Sequence, residues 1–183
     1  MTLKLHKLLG NFIQETSLDI DVIGDGFALV RINFQYEQPK DYYGRCEWRF
    51  YNEAEPVTFY FNKRRDIISD LELLLPSELT FFIDRFNESQ RQHKDIPFFN
   101  GFPLFQLINS NVMSDGFSFE EKGGIFIDYY DDCIVCSLRS IEFDTVSRVS
   151  DNVDFLFNQE NFAGVKLNLN NQHKLLLQGA SLI

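Results

Sequence analysis

Basic side chains are in short supply in this sequence, which has 17 lysines and arginines against 27 aspartates and glutamates, a formal net charge of -10. Proteins that bind DNA or RNA rely on lysine and arginine to displace counterions from phosphates, so we expect no nucleic-acid partner. The same charge opposes an anionic membrane surface. The sequence also lacks any apolar stretch near the ~20 residues that a spanning helix requires, so we expect no membrane partner.

Cysteine is scarce as well, with three in the sequence, Cys46, Cys133 and Cys136. An odd and widely separated set does not make a disulfide framework, and no small-residue cleavage site follows the N-terminal lysines, so we expect a cytoplasmic protein. Cys133 and Cys136 have the spacing of a redox or zinc half-site, but their flanks are typical of a β-strand. Residues three apart in a strand point to opposite faces, which predicts two structural thiols.

Motifs for chemistry are missing too. The sequence has no glycine-rich nucleotide loop and no nucleophile with a nearby base, and His6, His93 and His173 stand at no metal-ligand spacing. Asp19 and Asp21 alternate before a glycine turn but lack the other oxygen ligands of a calcium loop, and a solvated strand face explains them. We therefore expect no cofactor, no metal and no catalysis. The alternative is a hydrolase or transferase whose carboxylate site is assembled only by the fold.

Phenylalanine is what the sequence has in excess, with 20 among 183 residues. Each buried aromatic ring removes about 150–250 Å² from water, so these residues can supply most of a core if they point inward. The apolar fraction of 44% and the charged fraction of 24% are ordinary for a globular protein. We expect one globular domain over 1–183, with Trp48 in its core and the aromatic loop 98–103 tucked against it.

Hydrophobic periodicity divides the chain into helical and strand-like regions. Helical spacing of apolar residues predicts three helices, over 2–14, from about 62 to 75, and from Pro76 or Ser77 to about Gln92. Alternating polarity predicts strands at 18–22, 28–34, 42–51, 57–61, 104–108, 116–119, 125–130, 133–139, 141–147, 153–158, 165–169 and 174–178. The predicted fold class is α+β: an antiparallel sheet that can curl, with helices packed on one side.

Acidic and aromatic residues are mixed most densely between Phe117 and Asp132. Tyrosine rings provide rigid contact area, while carboxylates steer a basic partner toward the surface and pair with its arginines. An ordinary half-exposed hairpin with an acidic polar face would produce the same pattern. We predict a partner-binding site made of Glu120, Glu121, Asp128, Tyr129, Tyr130, Asp131 and Asp132.

In size, acidity, aromatic content and lack of a catalytic set, the chain resembles the small acidic immunity proteins that bacteria make against their own secreted toxins, including those of contact-dependent growth inhibition. The resemblance concerns the type of protein and carries over no individual residue. It implies a cytoplasmic, non-catalytic inhibitor that binds a cognate toxin domain, often a basic nuclease, and covers its active site. A cationic groove built for phosphates would attract carboxylates. The sequence leaves open an accessory protein that binds another basic partner.

Overall fold

The computed structural model describes residues 3–9, 15–23, 26–35, 46–52, 56–62, 67–76, 80–81, 96–107, 118–138 and 142–183. Within these ranges the chain forms fifteen strands and one helix, a mostly β architecture. The strands are β1 (Leu3–Leu9), β2 (Glu15–Val22), β3 (Ala28–Gln35), β4 (Cys46–Tyr51), β5 (Pro56–Phe61), β6 (Ile68–Leu75), β7 (Thr80–Phe81), β8 (Phe98–Asn100), β9 (Phe102–Leu107), β10 (Ser118–Lys122), β11 (Ile125–Tyr129), β12 (Cys133–Leu138), β13 (Thr145–Ser150), β14 (Val153–Asn158) and β15 (Asn161–Asn168). The helix is α1 (Asn171–Gly179).

Hydrogen bonding groups these strands into two mixed sheets. The nine-stranded sheet has the order β7-β11-β12-β15-β14-β13-β8, and β1 pairs with both β15 and β9. The six-stranded sheet has the order β10-β4-β5-β6-β3-β2. Three of the neighbouring pairs are parallel, namely β10 with β4, β11 with β7 and β13 with β8. The predicted α+β class is wrong, because the described residues place strands where two of the helices were expected.

Those two predicted helices are the regions 2–14 and 62–75. The first contains β1, which pairs with β9 and β15, and the second contains β6, which lies between β3 and β5. In β6 the side chains of Leu73 and Leu75 are buried, whereas Leu74 is only half-buried. A leucine-rich run can fit both a helical period and a period of two. Here hydrogen bonding to a strand on each side stabilises the extended conformation.

The other two corrections concern the third helix and the C-terminus. The helix expected over 77–92 lies mostly outside the described residues, and within that range Thr80–Phe81 forms β7. The strand expected at 174–178 is part of α1. The Asn170 side chain caps this helix by accepting a 2.9 Å hydrogen bond from the backbone N–H of His173. Asparagine is a strong N-cap but also a common turn residue, so the sequence pattern around Asn170 fits a turn between strands as well as a helix start. Among the described residues, no helix is long and apolar enough to cross a membrane.

Aromatic rings from both sheets pack together in one main core, as the number of phenylalanines predicts. Phe59 of β5 meets Phe162 of β15 edge to face, with ring centroids 4.9 Å apart, and lies 6.3 Å from Phe155 of β14. Trp48 is fully buried and its ring contacts that of Phe50, which confirms its predicted core position. Burial of these rings holds the inner faces of the two sheets together.

A second apolar cluster lies on the opposite face of the nine-stranded sheet and includes Cys133 and Val135. Cys136 belongs to the main core, so the two thiols of β12 occupy opposite faces of the sheet, as predicted. The aromatic stretch 98–103 is divided rather than tucked in as a whole. Phe102 is buried, whereas the β8 residues 98 and 99 are exposed.

Candidate partner-binding surface

The residues predicted to form one site belong to two different sheets. Glu120 and Glu121 lie on β10, which pairs with β4 at the edge of the six-stranded sheet. Asp128 lies on β11, which pairs with β12 and β7 in the nine-stranded sheet. Gly123 and the following glycine connect the sheets, and a Cβ at Gly123 would meet the ring of Phe50. The segment from Glu120 onward is therefore a crossing between sheets and not a single hairpin.

The two predicted tyrosine anchors are buried. Tyr129 is 4% exposed and belongs to the main core, and Tyr130 is 8% exposed and belongs to the second cluster. Burial is the largest cause of a raised pKa for the Tyr129 hydroxyl, and the charges of Asp131, Cys133 and Asp132 raise that pKa further. These rings stabilise the fold, so neither offers an exposed contact surface for a partner.

Asp131 and Asp132 form the turn between β11 and β12, and this turn is attached to the C-terminal region. The carboxylate of Asp131 lies 3.9 Å from the Lys174 ammonium of α1. The carbonyl of Asp132 accepts a 2.9 Å hydrogen bond from the backbone N–H of Leu169. The Asp131 carboxylate is exposed, so salt screens its ion pair with Lys174 and the pair contributes little to stability.

Polar side chains line the outward side of the six-stranded sheet, which we call the acidic face. Leu18 and Ile20 of β2 are buried, as are Trp48 and Phe50 of β4, so the alternate side chains point away from the core. The strand register places in one row across the sheet Asp19, Arg31, Glu72, Thr58, Arg49 and Glu120. Seven carboxylates belong to the acidic face, Glu15, Asp19, Asp21, Glu47, Asp70, Glu72 and Glu120, against three cations, Arg31, Arg49 and Lys122.

Two arginines pair with carboxylates of the acidic face, three of them on neighbouring strands and one, Glu47, on the same strand as its arginine. Arg31 lies 2.7 Å from the carboxylate of Asp21 and 3.6 Å from that of Glu72. Arg49 lies 3.8 Å from the carboxylate of Glu47 and 3.9 Å from that of Glu120. Since these groups are partly exposed, the pairs add little stability, but they restrict the side chains. The carboxylates that exceed the cations leave the face with a negative potential.

Neutral donors order the same surface further. The Tyr60 hydroxyl donates a 2.9 Å hydrogen bond to Glu72. The Asn33 amide donates to Asp70 at 2.7 Å, and the Ser118 hydroxyl donates to Glu47 at 2.8 Å. Each donor lies on the strand next to that of its acceptor. The acidic face is thus a preorganised array of carboxylates, which lowers the entropy lost when it is bound.

Exposed apolar residues lie at one end of the acidic face, at the tip of the β2–β3 hairpin. Val22, Ile23 and Phe27 are 46%, 51% and 42% exposed, and we call them the apolar tip. The backbone N–H of Ile23 donates a 2.9 Å hydrogen bond to the carbonyl of Phe27, which closes the hairpin. Asp21 of the acidic face directly precedes Val22 on the chain. The apolar tip and the acidic face therefore adjoin each other.

Helix α1 packs against β2 through His173, which is buried. The imidazole of His173 hydrogen-bonds to the backbone of Leu18. Burial lowers the pKa of His173, and this effect exceeds the opposing effects of the Leu18 hydrogen bond and the charge of Asp19. The neutral imidazole also accepts a 3.4 Å hydrogen bond at Nδ1 from the backbone N–H of Asn170. Protonation of that nitrogen would break the contact.

A second charged group lies on the outward face of the nine-stranded sheet, and its carboxylate is buried. Asp154 is fully buried, 2.8 Å from Nε of Arg148 and 3.6 Å from Nζ of Lys166. The three residues are direct neighbours on β13, β14 and β15. A buried carboxylate requires such partners, so this group serves the fold. Among the described side chains, no group of three or more histidines, cysteines and acids is placed to hold a metal ion.

Sequence reasoning found Glu120 and the alternating pair Asp19 and Asp21 but did not bring them together. The helix predicted from about 62 to 75 contains Glu72. The sequence pattern predicts no site role for Glu47, which adjoins Trp48 on the chain. The available signal was the period of two in the charged positions of β2 and β4. The pairing order of the strands was still needed to combine these positions into one surface.

The fold and this surface define a mostly β protein of two mixed sheets with one acidic, solvent-facing side. No protein-family model matches the chain, and no curated protein matches its sequence.

Proposed function

We propose that the protein is a non-catalytic inhibitor that binds a basic protein partner through the acidic face. The observation that carries this proposal is the array of seven carboxylates, presented against three cations on one face of a sheet. Such a surface complements a cationic patch and accelerates encounter with it. The ordering of Glu47, Glu72 and Asp70 by neighbouring donors favours a surface that binds without rearrangement.

The partner that fits this surface best is a toxin domain with a cationic active-site groove, such as that of a nuclease. A groove that binds phosphates presents several basic side chains, and a carboxylate array can occupy the same positions. The resemblance to small acidic immunity proteins points to the same class of partner. In this proposal the protein acts in the cytoplasm, protects the cell that makes it and performs no chemistry of its own.

The test is co-expression with the C-terminal domain encoded immediately upstream, scored by growth rescue and by co-elution on a sizing column. We expect rescue together with a stable complex whose association rate falls as salt rises, because screening weakens steering between exposed charges. Growth arrest with no complex at low salt would reject an immunity role toward that domain. A complex whose association rate does not depend on salt would reject the acidic face as its site.

A further inference from the structure

Among the residues that the structure describes, strand β2 pairs with β3 alone, so it forms an edge of the six-stranded sheet there. In an antiparallel pair, residues bonded to the partner strand alternate with residues whose N–H and C=O point away. The bonded pair Ile23 and Phe27 sets this alternation, so Asp21 and Asp19 bond to β3. The backbone groups of Leu18, Ile20 and Val22 therefore point outward from the sheet edge.

Helix α1 occupies only the beginning of this edge. The backbone of Leu18 is bonded to the imidazole of His173. Beyond it, the outward N–H and C=O of Ile20 and Val22 have no hydrogen-bond partner in the part of the chain that the structure describes. An edge of this kind is a template for another strand.

The side chains along the edge also differ from those that protect ordinary edge strands. Natural edges are commonly guarded by charged side chains, especially lysine, by proline or by a bulge. The charged side chains on either side of Ile20 are both aspartates, which do not repel a basic segment. Here the strand continues into the apolar tip, where Val22 and Ile23 are about half exposed. Asp19 and Asp21 point to the acidic face between the positions of the buried or apolar side chains. Along this edge, residues with outward backbone groups and apolar side chains therefore alternate with aspartates of the acidic face.

We propose that the edge from Ile20 to Ile23, where no described strand other than β3 pairs with β2, binds an extended segment of the partner as an added strand, in which basic and apolar residues alternate. This inference rests on the proposed function and specifies how the partner is held. Residues opposite Asp19 and Asp21 would share the acidic face, which favours lysine or arginine, whereas residues opposite Ile20 and Val22 would share the apolar side. A second copy of this chain would bring like charges together at the same positions, which disfavours it.

The test uses a fluorescently labelled peptide in which lysine and valine alternate, titrated into the full chain and followed by anisotropy. A peptide in which glutamate and valine alternate is the charge control.

Val22→Pro removes an outward N–H without removing a bond to β3. Val22→Lys keeps the backbone donor and adds a charge that repels the peptide. Phe126→Ser is the matched control, because Phe126 is 48% exposed on the nine-stranded sheet.

We expect the lysine peptide to bind the wild-type chain and the glutamate peptide not to bind. Val22→Pro should weaken binding about tenfold, as one lost strand hydrogen bond and a poorer fit imply. Val22→Lys should weaken it in the same direction, and Phe126→Ser should leave it unchanged. Amide hydrogen exchange should become slower at Ile20 and Val22 when the peptide is bound, which distinguishes an added strand from diffuse charge attraction.

Several results would overturn edge binding: no affinity for the lysine peptide, equal affinity in the wild type and both Val22 variants, or unchanged exchange at Ile20 and Val22. These results are separable from a failure of the proposed function. If the upstream toxin domain is bound equally well by the wild type and Val22→Pro, edge binding is rejected and the inhibitor function stands. If no toxin domain binds but the peptide adds to the edge, the edge site stands and the toxin is rejected as partner.

Discussion

The outward faces of the two sheets use charge in opposite ways. On the six-stranded sheet, acids and arginines such as Glu72 and Arg31 lie partly in water and form pairs that salt can screen. On the nine-stranded sheet, Asp154 is fully buried between Arg148 and Lys166 and cannot exchange these partners for water. Similar residue types therefore form a solvent-facing charged surface on one sheet and a buried structural group on the other, and burial distinguishes the two.

Burial also separates the aromatic rings of the core from the exposed apolar residues near the acidic face. Rings at the inner faces, and Tyr129 and Tyr130 at the β11–β12 turn, are core components. The apolar side chains that remain available near the acidic face are those of the apolar tip. In the proposed function, recognition of a partner combines charge from the sheet face with apolar contact from its edge, which is a common division between steering and anchoring.

The largest effect should come from removing the buried carboxylate. Asp154→Asn keeps the shape but leaves Arg148 and Lys166 without their anion, and we expect the free energy of unfolding to fall by about 3 kcal/mol. Asp19→Asn on the acidic face is the matched control and should change it by less than about 0.5 kcal/mol. Urea unfolding followed by tryptophan fluorescence measures both. Equal losses in the two variants would abolish the distinction between the faces.

A smaller effect should appear in association with the toxin domain that we propose as the partner. Neutralising two carboxylates of the acidic face with Asp19→Asn and Glu120→Gln should slow association about fivefold at low salt, because steering depends on the summed local charge. Neutralising Asp131 and Asp132 of the β11–β12 turn is the control and should leave the rate nearly unchanged. Stopped-flow mixing gives both rates. If neutralising Asp131 and Asp132 slowed association more than Asp19→Asn with Glu120→Gln did, the β11–β12 turn would be the binding site.

The attachment of α1 to the edge of the six-stranded sheet should depend on pH. Burial lowers the pKa of folded His173 below its usual value of 6.5, so the unfolded chain takes up the proton first as pH falls. The stability contributed by neutral His173 is fully present above pH 6.5 and is lost as pH falls from there through the folded-state pKa. Unfolding of the wild type and His173→Gln across this range measures the effect. A pH dependence that the glutamine variant retains would assign it to another group.

The smallest effect should come from an arginine of the acidic face. Arg31→Gln removes exposed pairs with Asp21 and Glu72, and we expect a loss of about 0.5 kcal/mol or less. Arg148→Gln removes one of the two cations that pair with the buried carboxylate of Asp154, so we expect it to lower the free energy of unfolding by more. Thermal unfolding of both variants ranks them. A larger loss for Arg31→Gln would mean that the acidic face stabilises the fold.

The fold was predictable where apolar and polar residues alternate strictly, and less so where apolar residues occupy both sides of a strand. Residues 30–35 alternate strictly, and the strand predicted over 28–34 is part of β3. β6 has buried leucines and partners on both edges, so its pattern did not exclude a helix. The helix α1 was missed because its cap, Asn170, is also a common turn residue.

The candidate site was less predictable than the strands that build it. Glu120 could be recognised as exposed and acidic, but its neighbours Arg49 and Glu47 come from a strand about seventy residues earlier, and parallel pairing brings them together. Tyr129 and Tyr130 follow one another on the chain, yet each is buried, in a different cluster. Local sequence reports which residues alternate, whereas the order of strands determines which of them share a surface.

The pairing of β1 has a consequence for how fast the protein becomes active. Lys4 of β1 lies opposite Asn161 of β15, and Leu5 donates a 2.6 Å hydrogen bond to the carbonyl of Glu160. β1 therefore cannot complete this pairing until β15, far later in the chain, has been synthesised. Contacts so distant along the chain slow folding. If the protein protects the cell that makes it, as we propose, a delay between synthesis and full protection would follow from the topology itself.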